Sequence, residues 1–199
     1  MKKIILIILI YLLFPIITFA ADYDIKKYKI EAYIENNGDV NVCEYLKLDG
    51  IFNGYVRDVY YKMGDDNYNP TNIGNIDIYD LNTYTMTKGE MFTYDDYAKV
   101  GESLKYNIKN YANGPSIKMF NATNGGTKGY VLCYTLENAI LVHNDVAELY
   151  YTFIPSGFED LLNDVEIKVY LNSLDDTLKV WAHGALYGNV SKESTNSNS

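Results

Sequence analysis

Apolar and polar positions alternate with period two along most of the chain, and no long stretch with a 3.6-residue period appears. Tyr28, Ile30, Ala32 and Ile34 alternate with polar residues. Asn36-Asn37-Gly38-Asp39 then supplies a turn, and Val40, Val42, Leu46 and Leu48 resume the alternation, which predicts a hairpin. A third strand is expected over 55–63 after the Asn53-Gly54 turn, and a fourth region around Ile76, Ile78 and Tyr84. In the ambiguous stretch 86–113, the best strand is Ser103–Tyr111, with Leu104, Tyr106 and Ile108 in phase. A short strand over 117–120, a tight turn over 125–129 and a strong alternation over 130–136 follow. Residues 137–142 read as one helical turn or a bend, and 146–154 as a strand ending at Pro155-Ser156-Gly157. Two alternating runs close the pattern: Val165, Ile167, Val169 and Leu171, then Leu178, Val180 and Ala182. Strands at this spacing, punctuated by Gly, Asn and Asp, predict an all-β fold, an antiparallel β-sandwich of Ig-like or jelly-roll-like type.

The ends of the chain break the pattern. Lys2 and Lys3, the apolar run 4–14, Pro15 and the small-x-small Thr18-Phe19-Ala20 have the anatomy of a secretory signal peptide over 1–20. The rival reading is an uncleaved anchor, although the run is shorter than the roughly 20 residues a bilayer span prefers. A single domain is expected over 22–188, and 189–199 reads as a polar linker or tail. Such a chain is expected to be secreted or held at the outer face of the cytoplasmic membrane.

At 199 residues and 48% hydrophobic, the chain is long enough for one sizeable core. Its net charge of −9 disfavours nucleic acid, because phosphate contact needs clustered Lys and Arg. The 21 tyrosines suit strands, and exposed ones would suit a sugar face. Two His and two Cys leave little material for metal chemistry, and no metal or cofactor is expected. Asp65-Asp66-Asn67-Tyr68-Asn69 opens like a calcium loop, but Pro70 replaces the turn glycine and Ile76 stands where the bidentate Glu belongs. Cys43 and Cys133 both fall out of phase with the aliphatic members of their strands. They form a disulfide if those strands are neighbours, and otherwise stand as two free thiols.

Glu44 is the most informative residue. It is in phase with Val40, Val42, Leu46 and Leu48, so the pleat turns its carboxylate toward the core. A buried carboxylate needs a partner. Arg57, the chain's one arginine, lies one hairpin away, and its planar fork suits a carboxylate. The expectation is a Glu44–Arg57 pair that fixes register. A second polar cluster is expected around Asp58, Trp181 and His183, with Trp181 packed on a terminal strand. His143 is expected in a solvated loop.

The runs Asn37-Gly38-Asp39-Val40-Asn41-Val42-Cys43-Glu44 and Phe52-Asn53-Gly54-Tyr55-Val56-Arg57-Asp58-Val59 resemble the start of a bacterial membrane-protein family. That family carries the N-terminal domain of unknown function numbered 2207. Gly129-Tyr130-Val131-Leu132-Cys133-Tyr134, Glu137-Asn138-Ala139, Asp145-Val146-Ala147-Glu148-Leu149-Tyr150-Tyr151 and Val180-Trp181-Ala182-His183-Gly184 are similar to its pattern as well. The resemblance implies an extracytoplasmic β-rich domain with no assigned activity and no catalytic residues to carry over. Family members usually continue into transmembrane helices, so anchoring is expected only through a C-terminal region missing here or through an uncleaved signal.

No G-x-S-x-G, H-E-x-x-H or Walker loop is present. The expected function is therefore a binding or assembly module of the bacterial envelope, its partner an envelope protein or a surface glycan. The alternative is a hydrolase of envelope polymers using Glu44, Asp58 or His183. An enzyme should gather these groups in a wet concave pocket; a binding module should bury them as pairs and expose an aromatic or sheet-edge surface.

Overall fold

A computed structural model describes residues 21–62, 68–155, 158, 161–172, 177–182 and 189–192. The signal segment, Asp65 to Asn67 of the calcium-like opening, Ser156-Gly157, His183 and the end of the tail lie outside them.

Two sheets face each other across one core. The first contains β1 (Asp22–Ile34), β2 (Val40–Phe52), β4 (Asn72–Asn82), β5 (Thr87–Met91), β9 (Thr123–Glu137) and β12 (Val165–Tyr170), in the order β12-β1-β2-β9-β4-β5. The second contains β3 (Tyr55–Asp58), β6 (Thr93–Tyr94), β7 (Ser103–Tyr111) and β8 (Gly114–Asn121), in the order β3-β8-β7-β6. A small hairpin, β10 (Ile140–Val142) with β11 (Ala147–Leu149), forms a separate two-stranded sheet whose Ile140 and Leu149 pack against the core. The fold is a β-sandwich. Its inward residues are those the alternation selects: Tyr28, Ile30 and Ala32 on β1, Val40, Val42, Leu46 and Leu48 on β2, and Ile117 and Met119 on β8 are all buried. Each fully buried Ile or Leu contributes about 1.5–3 kcal/mol of hydrophobic free energy, which is why a one-residue slip of a strand is not tolerated.

Several elements differ from the sequence reading. The sheets are mixed rather than wholly antiparallel, since β12 runs parallel to β1 and β6 parallel to β7. The third strand stops at Asp58, because the chain after it caps the end of β8 through Val59 N–H to Pro115 O and Tyr61 N–H to Asn113 O. Tyr84 is in a turn and fully exposed instead of in a strand. Residues 125–129 do not reverse the chain. They lie within β9, and there the pairing steps from Asp49 opposite Thr127 to Ile51 opposite Asn124. Gly50 thus faces both Gly125 and Gly126, a bulge that uses glycine's access to positive φ (130° and 95°) without a turn. Gly50 itself is required: at φ 142° an added Cβ would lie 2.2 Å from Asp22 O on β1. Residues 137–142 hold no helical turn; the chain bends at Asn138 (φ 52°) and Ala139 to pass from β9 to β10. The expected strand over 146–154 is reduced to β11, and residues 178–182 are irregular.

Cys43 and Cys133 are directly opposite on the two central strands and are joined by a disulfide. It lies on the outer face of the six-stranded sheet, packed with Leu81 and Val131 and flanked by Tyr45, Tyr79 and Met86. The bond closes a sequence separation of 90 residues, which restricts the unfolded chain strongly. Replacing both cysteines with alanine should lower stability by about 2–4 kcal/mol in chemical denaturation. An unchanged midpoint would show that the bond adds nothing to the packed β2–β9 ladder.

Candidate functional site

The most concentrated chemistry lies between the sheets. Glu44 on β2 and Arg57 on β3 both project into the core, at 3% and 6% exposure. Arg57 Nε donates to Glu44 Oε2 at 2.7 Å and Nη2 donates to Oε1 at 2.9 Å, a bidentate fork between opposing sheets. Two tyrosines complete the carboxylate's shell. The Tyr28 hydroxyl donates to Oε2, and the Tyr134 hydroxyl donates to Oε1 at 2.7 Å. Pairing places them there: Tyr28 is opposite Leu46 and Tyr134 opposite Val42, so each is a diagonal neighbour of Glu44 on the inner face. Two further guanidinium hydrogens go to main chain, one from Nη1 to Asp58 O at 2.6 Å and one from Nη2 to Phe153 O at 2.8 Å. Tyr151, next along that segment, donates from its hydroxyl to Tyr60 O at 2.8 Å. One ion pair thus ties β2, β3 and the segment around residue 153 together.

Its electrostatics follow from burial. Taking two charges from water costs several kcal/mol each, and the cost is met only by good geometry and further hydrogen bonds; here each Glu44 oxygen accepts two and the guanidinium donates four. Burial and then the Glu44 charge push the Tyr28 and Tyr134 hydroxyls well above the usual tyrosine range. Burial, the largest single influence, opposes the charge on Arg57, but the Glu44 carboxylate together with Tyr28 and Tyr134 outweighs it and holds the guanidinium above its ordinary value. Beside the pair is a cavity of about 10 Å³ bordered by Tyr55, Met119, Tyr130 and Leu132, with room for about one water.

The other sequence candidates do not converge on a second centre. Asp58 ends β3; Tyr60 donates to its Oδ2 at 3.4 Å, and its buried Oδ1 has no hydrogen-bond partner among the described residues. Trp181 is 73% exposed in irregular chain, not packed on a terminal strand, because no strand forms over 178–182. His143 stands 3.5 Å from Glu148 across the exposed β10–β11 hairpin. Among the described residues no group of three or more His, Cys, Asp and Glu is placed to hold a metal ion. An open groove of about 410 Å³ runs past Asp80, Asn82, Thr83 and Thr127. Its charged groups are engaged: Asn121 donates to Asp80 Oδ1 at 2.8 Å, and Lys128 donates to Asn121 Oδ1 and Ala122 O, each at 3.0 Å. Desolvation leads the causes that raise the Asp80 pKa.

The sequence reading missed the tyrosines. Their signal was a polar tip on inward positions of β1 and β9, and nothing local in the sequence says which buried hydroxyl lies beside which acid.

Arg57→Met leaves Glu44 buried without its cation and should cost about 3–5 kcal/mol in denaturant unfolding. Adding Glu44→Leu to that variant should recover part of the loss, giving a coupling energy well above 1 kcal/mol in a double-mutant cycle; purely additive losses would mean that the two groups do not support each other. In the unfolded chain tyrosines ionise near pH 10, whereas folding raises Tyr28 and Tyr134. Their contribution is therefore complete below about pH 10 and is lost as pH rises through the folded values. Alkaline titration should show tyrosinate absorbance from these groups only together with loss of the fold; their ionisation in an intact fold would contradict the assignment.

Comparison with known proteins adds one match. A search of curated proteins finds no similar sequence. No helix among the described residues is long and apolar enough to cross a membrane. The family model described as predicted membrane protein (DUF2207) N-terminal domain matches residues 24–199, and the chain belongs to that family.

Proposed function

We propose that the chain is a non-catalytic binding or assembly module of the bacterial envelope, working on the outer side of the cytoplasmic membrane or secreted from it. The observation that carries this reading is the division of labour between interior and edge. Glu44, the acid best placed for chemistry, is sealed in a four-donor shell beside a one-water cavity. Meanwhile β12, an edge strand among the described residues, keeps Val165, Ile167 and Val169 between 41% and 44% exposed. An edge with free backbone groups and a row of apolar side chains is what strand addition by another polypeptide uses. The signal-like segment 1–20 and the family's membrane-protein label support the location.

The partner class is polypeptide rather than glycan, because an edge strand offers a ladder of N–H and C=O groups and the row beside it is aliphatic. The test is a photo-crosslinking amino acid placed at Ile167, with Tyr84 at the distant exposed turn as control, in the full chain produced in a bacterial host. A discrete protein adduct from position 167 and none from position 84 is the expected result. Equal labelling at both positions, or hydrolysis of cell-wall polymer that is lost in Glu44→Gln, would overturn the reading.

A further inference from the structure

We infer that the edge of β12 is built to pair with a second copy of this chain, joining two six-stranded sheets across a two-fold axis at Ile167. The inference rests on the binding-module reading and names its partner. Three features of the strand carry it.

Backbone polarity comes first. Tyr28 N–H donates to Asp164 O at 2.8 Å, and Tyr28 is opposite Val165 in the parallel ladder. In such a ladder the residue opposite Tyr28 turns its own N–H and C=O away, so Val165, Ile167 and Val169 direct theirs to the free edge. Among the described residues no strand occupies that edge. An antiparallel copy with Ile167 opposite Ile167 brings Val165 opposite Val169 on both sides. All three outward-directed residues of each chain then meet outward-directed residues of the other, which is the hydrogen-bonded kind of pair.

Charge fixes the register. In this arrangement Glu166 stands opposite Lys168 of the other copy, twice. Within one chain the outer face already alternates, with Lys29 opposite Glu166 and Glu31 opposite Lys168. Lys168 and Glu166 are themselves 2.9 Å apart, as are Lys29 and Glu31 at 2.8 Å. The dimer extends this checkerboard across the axis with no like charges directly opposite each other. Sliding the copy by two residues one way sets Glu166 on Glu166, and the other way sets Lys168 on Lys168; like charges directly opposite destabilise a ladder. A one-residue slide turns the wrong backbone groups inward and the apolar row outward.

The apolar row completes the fit. Val165, Ile167 and Val169 lie on the same face as the buried Tyr28, Ile30 and Ala32, their register partners, yet remain nearly half exposed. Doubling the sheet sets the two rows side by side as one aliphatic band. A closed two-fold contact of this kind ends with two copies and does not propagate.

The test uses the full chain purified from an expressing bacterium, with Glu166→Lys and Lys168→Glu made separately. Wild type should sediment as a dimer, more weakly as salt is raised. Each variant faces itself with two like-charge pairs and should self-associate at least about tenfold more weakly. Mixed in equal amounts, the two variants restore both opposite-charge pairs and should form a one-to-one heterodimer of wild-type affinity. Circular dichroism of each variant guards against misfolding, since each also meets a like charge on β1. Monomeric wild type, or variants that fail to rescue each other while folded, would overturn the inference. A monomeric wild type that still gives an adduct with a different protein from position 167 would leave the binding-module reading standing; neither association nor adduct would overturn both.

Discussion

Everything in this fold is organised around a charge that has no business in a hydrophobic core. A carboxylate at position 44 is tolerable only because four donors reach it: two from Arg57 and one each from Tyr28 and Tyr134. Those donors come from β1, β3 and β9, so satisfying one side chain constrains both sheets at once. Replacing such a pair by packed aliphatics is often neutral or stabilising, so its value here is specificity of arrangement rather than raw stability. The fork sets β3 over β2 at one register, and its contact to Phe153 O fixes where the chain passes on its way to β12.

The second constraint is covalent and lies on the opposite face. The Cys43–Cys133 bond and the Glu44 shell occupy adjacent positions of β2, one outward and one inward. The central β2–β9 ladder is therefore pinned on both faces within two residues. The β12 margin of this sheet has neither kind of pin. Among the described residues β12 has one neighbouring strand, parallel to it, and its apolar side chains are half exposed. The proposed recognition at the edge draws on this contrast between a pinned centre and a less constrained margin.

Much of this was legible in the sequence, for identifiable reasons. Inward alternation on β1, β2 and β9 is strong because one face is wholly buried, and it set the phase of Glu44 against the cysteines. Arg57 stood out because it is the chain's one arginine. Other features depended on long-range pairing. Parallel placement of β12 beside β1 joins residues far apart in sequence, and an alternating run reads the same in either direction. The glycines at 125 and 126 signal positive φ but not whether it serves a turn or a bulge. Leu178, Val180 and Ala182 alternate as a strand would, yet no ladder forms over them. The hydroxyl partners of Glu44 come from strands on either side of it, a relation that only the sheet order reveals.

Because there is a single guanidinium, its Nε–H gives one assignable resonance, and hydrogen exchange at that nitrogen reports the buried fork without any mutation. A fork with the geometry described should exchange only through global unfolding, many orders of magnitude more slowly than free arginine and in step with the most protected amides of β2. Exchange near the free-arginine rate in the folded chain would mean that Arg57 is solvated and that the sheets are not joined through Glu44.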